Sequence, residues 1–119
     1  MKIEVNKVPD EVQWIIGALD DKRAKDIVLM DLREASESLD YFVLATGEST
    51  LQLKAMEDAV KERLKSQGML PRGVEGPSSR WVLMDYGAVV VHIMSPEARD
   101  FYDLEGLWGD AVKLEIAAT

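Results

Sequence analysis

The stretch Trp81-Val82-Leu83-Met84-Asp85-Tyr86-Gly87-Ala88-Val89-Val90-Val91-His92-Ile93-Met94 decides the fold. Its two arms, residues 80–85 and 89–94, are rich in β-branched, aromatic and other apolar residues, and they flank Tyr86-Gly87-Ala88, where glycine accepts positive φ at little cost. A β-hairpin is the simplest reading. Side chains alternate along a strand, so Trp81, Leu83 and Asp85 fall on one face and Val82, Met84 and Tyr86 on the other. Both faces are rich in apolar groups. Two readings of Trp81 therefore stand side by side: ordinary core, or one member, with Leu83 and Asp85, of an exposed patch suited to binding a protein.

Upstream, Val12, Ile15, Ile16 and Leu19 recur at helical spacing behind Pro9, which predicts an amphipathic helix over about residues 9–22. Ile27 to Leu32 and Tyr41 to Ala45 are short, continuous apolar runs and predict two buried strands, antiparallel neighbours. Ser49-Thr50-Leu51-Gln52 has the form of a capping box, and Leu53, Met56, Val60 and Leu64 then keep helical register until Gly68 stops the helix near Gln67. Val74-Glu75 is a short strand, and Gly76-Pro77-Ser78-Ser79 reads as a loop. Downstream of the hairpin, Ser95-Pro96-Glu97 supplies an N-cap hydroxyl, a proline at the first helical position and an acid near the positive dipole end. One helix should follow to about Gly109, with Phe101, Leu104 and Trp108 on one face; Val112 to Ile116 either adds a strand or stays mobile. The expected architecture is α/β in the broad, α+β sense: a mixed sheet of about five strands flanked by helices, as one domain over residues 1–119.

Composition narrows the function. The chain has 119 residues, 47% hydrophobic and 30% charged, without an apolar run long enough to cross a bilayer. Met1-Lys2-Ile3-Glu4-Val5 lacks the basic start and apolar stretch of a secretion signal, so a cytoplasmic location is expected. The absence of cysteine excludes a disulfide framework, a thiolate zinc site and a cysteine nucleophile. A net charge of −8 argues against extensive RNA contact, because nucleic-acid binders display a basic field toward phosphates. The same charge suits a basic protein partner, or solubility alone.

No catalytic constellation emerges. His92 is the only histidine and has no Ser, Cys or second His near it in sequence, which favours a satisfied structural or interface role over acid/base work. Gly47-Glu48-Ser49 has the form of the Gly-Ser turn of nucleotidyltransferases, but those enzymes also need two carboxylates flanking one residue on the next strand to hold metal ions. Here a helix follows instead, and its adjacent Glu57 and Asp58 project about 100° apart. The motif reads as a capped helix start. Asp20, Asp21, Glu34, Glu37 and Asp40 read as solvated surface rather than a cage for a hard cation. No metal, cofactor or catalytic residue is expected; the rival reading is a nucleotidyltransferase-like module or enzyme using the Gly47-Glu48-Ser49 turn as a phosphate site.

Six segments, in order, carry a resemblance: Ala24 to Val28, Asp40-Tyr41-Phe42-Val43-Leu44-Ala45-Thr46-Gly47, Gly73 to Gly76, Trp81 to Gly87, Val89-Val90-Val91-His92-Ile93, and Phe101-Tyr102-Asp103-Leu104-Glu105-Gly106-Leu107-Trp108. Over roughly residues 9–110 the chain resembles the ribosomal silencing factor (Iojap) family. The resemblance implies a nucleotidyltransferase-like topology without the catalytic carboxylates. It also implies a non-enzymatic repressor that binds the large ribosomal subunit through the large-subunit protein numbered fourteen, at the intersubunit face, hinders joining of the small subunit when nutrients are scarce, and in organellar relatives takes part in large-subunit assembly. It assigns an interface role to Trp81, Asp85, Tyr102, Leu107 and Trp108, to which period-2 projection adds Leu83 beside Trp81; charge and hydropathy imply little direct RNA contact and no membrane, and a homodimer of the free chain is left open. At Ala88 the chain departs from the family, which commonly has an acid there, so a turn hydrogen bond or charge pairing at that position is in doubt.

Overall fold

The computed structural model describes residues 2–3, 7–75, 80–109 and 112–116, and for 2–3 and 112–116 the chain path only. The elements, in chain order, are β1 (Lys2–Ile3), α1 (Asp10–Asp21), β2 (Lys25–Asp31), β3 (Tyr41–Thr46), α2 (Thr50–Ser66), β4 (Gly73–Glu75), β5 (Trp81–Asp85), β6 (Val89–Met94), α3 (Pro96–Tyr102), α4 (Leu104–Leu107) and β7 (Val112–Ile116). The strands form one sheet in the order β1-β7-β2-β3-β6-β5-β4. The five expected strands are its continuous centre and one edge; the tail adds β7 against β2, and β1 pairs with β7. The expected loop over 76–79 lies outside the described residues.

The sheet is mixed because β3 and β6 run parallel while β2 against β3, β5 against β6 and β4 against β5 are antiparallel. Every residue of β3 and of β6 is buried. That explains their uninterrupted apolar sequences, since a strand covered on both faces has no solvent side to mark with polar residues. One face packs Leu29, Val43, Ala45, Val82, Met84, Val91 and Ile93 against Val12, Ile15, Leu19, Leu53, Met56, Val60 and Leu64 of α1 and α2. The opposite face carries Val28, Met30, Phe42, Leu44, Val90 and Met94, and only Ala98 and Leu104, from the two short helices α3 and α4, are buried over it.

Local chemistry sets the element ends. Ser49 accepts the backbone N–H of Gln52 at 3.0 Å, while the Gln52 carboxamide accepts from Glu48 N at 2.8 Å and donates to the Lys22 and Arg23 carbonyls at 3.1 Å. The capping box thus also ties the start of α2 to the end of α1. Glu57 and Asp58, expected to project about 100° apart, do diverge: Glu57 is buried beside Lys54 and Lys61, while Asp58 is exposed. The single carboxy-proximal helix is corrected to two, because Asp103 takes a left-handed conformation (φ 43°). Asp103 closes α3 and caps α4 by accepting from Gly106 N at 3.1 Å. A Cβ at position 106 would lie 2.2 Å from the Asp103 carboxylate, so a side chain there would push the capping carboxylate aside.

The hairpin turns through Gly87 at φ 90°, with Tyr86 N donating to the Val89 carbonyl at 2.9 Å. Positive φ at the first central position suits the right-handed twist of paired strands. A Cβ at Gly87 would meet only the Arg72 side chain at ordinary contact distance, so the demand there is conformational rather than steric. Gly87→Ala should therefore cost about 1–2 kcal/mol, a fall in melting temperature of roughly 4–8 °C. Gly73→Ala, at an open edge position with no positive φ, should leave the thermal transition where it is; equal losses at both would refute the argument.

Candidate functional site

Strand β5 alternates between half-buried and buried residues, with Trp81, Leu83 and Asp85 on the half-buried side. These three share a sheet face with Val90, His92 and Met94, because the hairpin register pairs Asp85 with Val90, Leu83 with His92 and Trp81 with Met94. The short helices reach this margin without closing it. Trp81 is not ordinary core: its indole packs against the apolar cluster of this face but stays half exposed.

From that margin a row of rings runs inward. Phe101 meets Tyr102 at 5.0 Å between centroids, Tyr102 meets Trp81 at 4.6 Å, Trp81 meets His92 at 5.8 Å, His92 meets Phe42 at 4.5 Å and Phe42 meets Trp108 at 5.7 Å. The outer end is open, with Phe101 76% exposed and Tyr102 46%, and Leu107 at the end of α4 is 74% exposed. Phe101 was assigned to a buried helix face together with Leu104 and Trp108. The break at Asp103 turns it outward, while Leu104 is buried and Trp108 half-buried. Exposed aromatic and aliphatic groups at a polar margin have the composition of a protein-binding surface, and Phe101 is a candidate for it that sequence reasoning missed.

Arg99 holds this face in place. Its guanidinium reaches the Glu105 carboxylate at 2.9 Å, the Asp26 carbonyl at 2.9 Å and the Thr46 hydroxyl at 2.9 Å, so it ties α3 to α4, to the irregular start of β2 and to the end of β3. Around it lie Glu97, Asp100, Asp103 and Glu105, four carboxylates to one arginine over residues 96–107. Asp85 Oδ1 accepts from Gly87 N at 2.8 Å, so the turn hydrogen bond comes from Asp85 and does not need an acid at position 88. The Ala88 carbonyl meanwhile accepts from Asp40 N at 2.7 Å and Tyr41 N at 3.1 Å. Among the described residues no cation pairs with Asp85.

His92 is 3% exposed. Its Nδ1 accepts the Trp81 indole N–H at 3.2 Å, which places the imidazole hydrogen on Nε2. That nitrogen is buried with no hydrogen-bond partner among the described residues, so the expectation of a fully satisfied histidine holds at one nitrogen and fails at the other.

The rival nucleotide site fares worse. The open cleft beside the Gly47-Glu48-Ser49 turn is lined by Glu48 and Glu97 as well as Arg80, and Lys25 spends its charge on Glu48 at 2.8 Å. Two carboxylates facing such a cleft oppose a polyphosphate. Among the described residues no group of three or more His, Cys, Asp or Glu side chains could hold a metal ion. No helix among them is long and apolar enough to cross a membrane.

A mixed sheet covered by long helices on one face, with an aromatic, acid-rimmed margin on the other, defines a small α+β domain. A family model described as ribosomal silencing factor during starvation matches residues 5–119, and the chain belongs to that family. It is 44% identical to a ribosomal silencing factor of Chromobacterium violaceum over 79% of this chain and 78% of that protein. A crystal structure of a Chromobacterium violaceum protein superposes with a TM-score of 0.81 at 42% identity, covering 84% of each chain. A mouse protein named for mitochondrial assembly of the ribosomal large subunit is 31% identical over 82% of this chain but only 45% of its own length.

Burial alone pushes the His92 imidazole down to about 4 from its ordinary 6.5. The unfolded chain therefore takes up the proton first: stability is full above pH 6.5 and falls as pH drops toward 4. Between pH 7 and 4.5 the loss due to this one group should be about 2 kcal/mol. His92→Asn, which has nothing to protonate, should lose that part of the acid sensitivity in urea titrations at the two pH values. A difference between the two proteins that does not change with pH would refute the assignment.

Proposed function

We propose that this chain represses translation by occupying a surface of the large ribosomal subunit, without catalysis. Family membership points to the ribosome, and the aromatic margin with its acidic rim supplies the means of attachment. That margin is the observation that carries the reading. An apolar centre of Trp81, Leu83, Phe101, Tyr102 and Leu107 provides contact area, Trp108 supports it from beneath, and Asp85 with the α3–α4 carboxylates favours a basic partner. Basic proteins of the large subunit fit this requirement, and the one numbered fourteen, at the intersubunit face, is the partner implied by the family resemblance. An acidic domain fits naked RNA poorly.

The mechanism needs only volume. A folded body with extents of 34 × 34 × 29 Å seated where the small subunit must dock excludes it, and the fraction blocked then follows mass action. Mixed as free subunits, ribosomes should join less completely as the factor is added. Ribosomes already joined should resist, and rapid splitting of them would point to an active dissociation mechanism. The free chain could bury the same apolar surface in a homodimer; that form would dissociate on binding, and sedimentation at rising concentration tests it.

The exposed anchors permit a clean test of the docking surface. Leu107→Ala should weaken co-sedimentation with large subunits by roughly 30-fold, about 2 kcal/mol, while leaving the melting temperature unchanged. Leu51→Ala, at a side chain 83% exposed on α2, should change neither. Equal binding by both variants would sink the assignment, and so would capture of the chain by protein-free ribosomal RNA as strongly as by intact subunits.

A further inference from the structure

Trp81 is the ring at which the exposed and buried halves of the aromatic row meet, yet its strand does not fix its orientation. At the half-covered edge of a sheet a large side chain has more than one staggered rotamer open to it. Among the described residues, two rings flank the indole. Tyr102 is itself 46% exposed and rides on a seven-residue helix. His92 sits on β6, which is buried along its whole length, facing Leu44 on β3 and Leu83 on β5 in register. Of the two, only His92 is a fixed point, and only His92 makes a directional contact, accepting the indole N–H on Nδ1 at 3.2 Å.

We infer that His92 is the positioning residue of the docking face: by accepting the Trp81 indole N–H it holds the indole against Tyr102 in the orientation a partner meets. This rests on the reading of Trp81 as part of that face. The chemistry of the imidazole supports it. Accepting on Nδ1 leaves the hydrogen on Nε2, where it is buried with no partner among the described residues, and an unsatisfied buried donor is costly. An aliphatic side chain of similar size would fill the same space without that cost. What imidazole alone adds here is the Nδ1 acceptor, and its only described hydrogen bond goes to Trp81. Neutrality is part of the device, because a protonated ring would have no lone pair to offer, and burial of the ring keeps it neutral. A pre-set indole spares the complex the ordering of one large side chain, which is worth roughly 3- to 10-fold in affinity.

The test uses the full chain and purified large ribosomal subunits. In the uniformly ¹⁵N-labelled wild type, a scalar coupling through the hydrogen bond should connect Trp81 Nε1 to His92 Nδ1; its absence overturns the proposal without any variant. In binding assays, His92→Leu removes the acceptor and should weaken affinity about 3- to 10-fold. His92→Asn places its carboxamide oxygen near the lost Nδ1 and should bind close to wild type. Trp81→Phe removes the donor, and adding His92→Leu to it should cause no further loss if His92 acts through the indole. A folded His92→Leu that binds at full strength while Trp81→Ala does not would refute positioning and leave the docking surface standing. Full-strength binding by folded Trp81→Ala would refute the docking surface itself. Should His92→Leu fail to fold, His92→Asn decides: binding as weak as Trp81→Phe overturns the inference, and near-wild-type binding supports it.

Discussion

The parallel pairing of β3 with β6 is the constraint on which the rest of the molecule depends. Both strands are buried at every position, so both faces of the sheet need cover. A parallel pair also needs a long crossover, and α2 with the β4–β5 excursion supplies it. That route commits the long helices α1 and α2 to one face. Among the described residues, what remains for the other is a seven-residue helix and a four-residue one, which cover the middle of the sheet and touch β5 through Tyr102 without burying it. The half-exposed side of Trp81, Leu83 and Asp85 is thus a consequence of how cover is distributed in a small domain, where surface is large relative to core.

The sequence made this core legible because its signals are local and redundant. A continuous apolar run marked β3, two strand-like arms about Tyr86-Gly87-Ala88 marked β5 and β6, and the Ser49 capping box placed the start of α2. The misreadings arose where a single backbone dihedral overrides periodicity. Treating residues 96–108 as one helix set Phe101 on the same face as Leu104, but Asp103 in the left-handed region rotates everything beyond it. A signal was present: Asp103 stands three residues before Gly106, the spacing of an N-cap to a backbone donor, and aspartate tolerates positive φ better than most residues. Glu57 was harder to place. Helical spacing puts position 57 beside Met56 and Val60, and the buried carboxylate is carried by two lysines at i−3 and i+4 whose long stems cover it.

The Trp81–His92 contact depends on one turn. With Gly87 and Ala88 as the two central residues, Asp85 pairs with Val90 and the even-numbered residues of β6 share a face with the odd-numbered ones of β5. Trp81 and His92 then become diagonal neighbours, within reach of large side chains. A loop one residue longer would turn His92 to the opposite face and bring Ile93 beside the indole. Sequence reasoning located the hairpin but not this register, so the tryptophan and the histidine entered it as separate observations.

The aromatic side of the sheet carries physical costs of its own. An exposed aromatic row works against solubility, and the orphan Nε2 of His92 works against stability. The side packed by α1 and α2 has the deeper core and the ion pairs of Arg63 with Asp21 and of Lys61 with Glu57. A net charge of −8 keeps such a molecule dispersed despite the open row, and the carboxylates around the row discourage it from meeting another acidic surface. A basic partner reverses both penalties at once, covering the rings and matching the acids. On the proposed function, the aromatic side is therefore costly in the free chain and favourable against a basic partner.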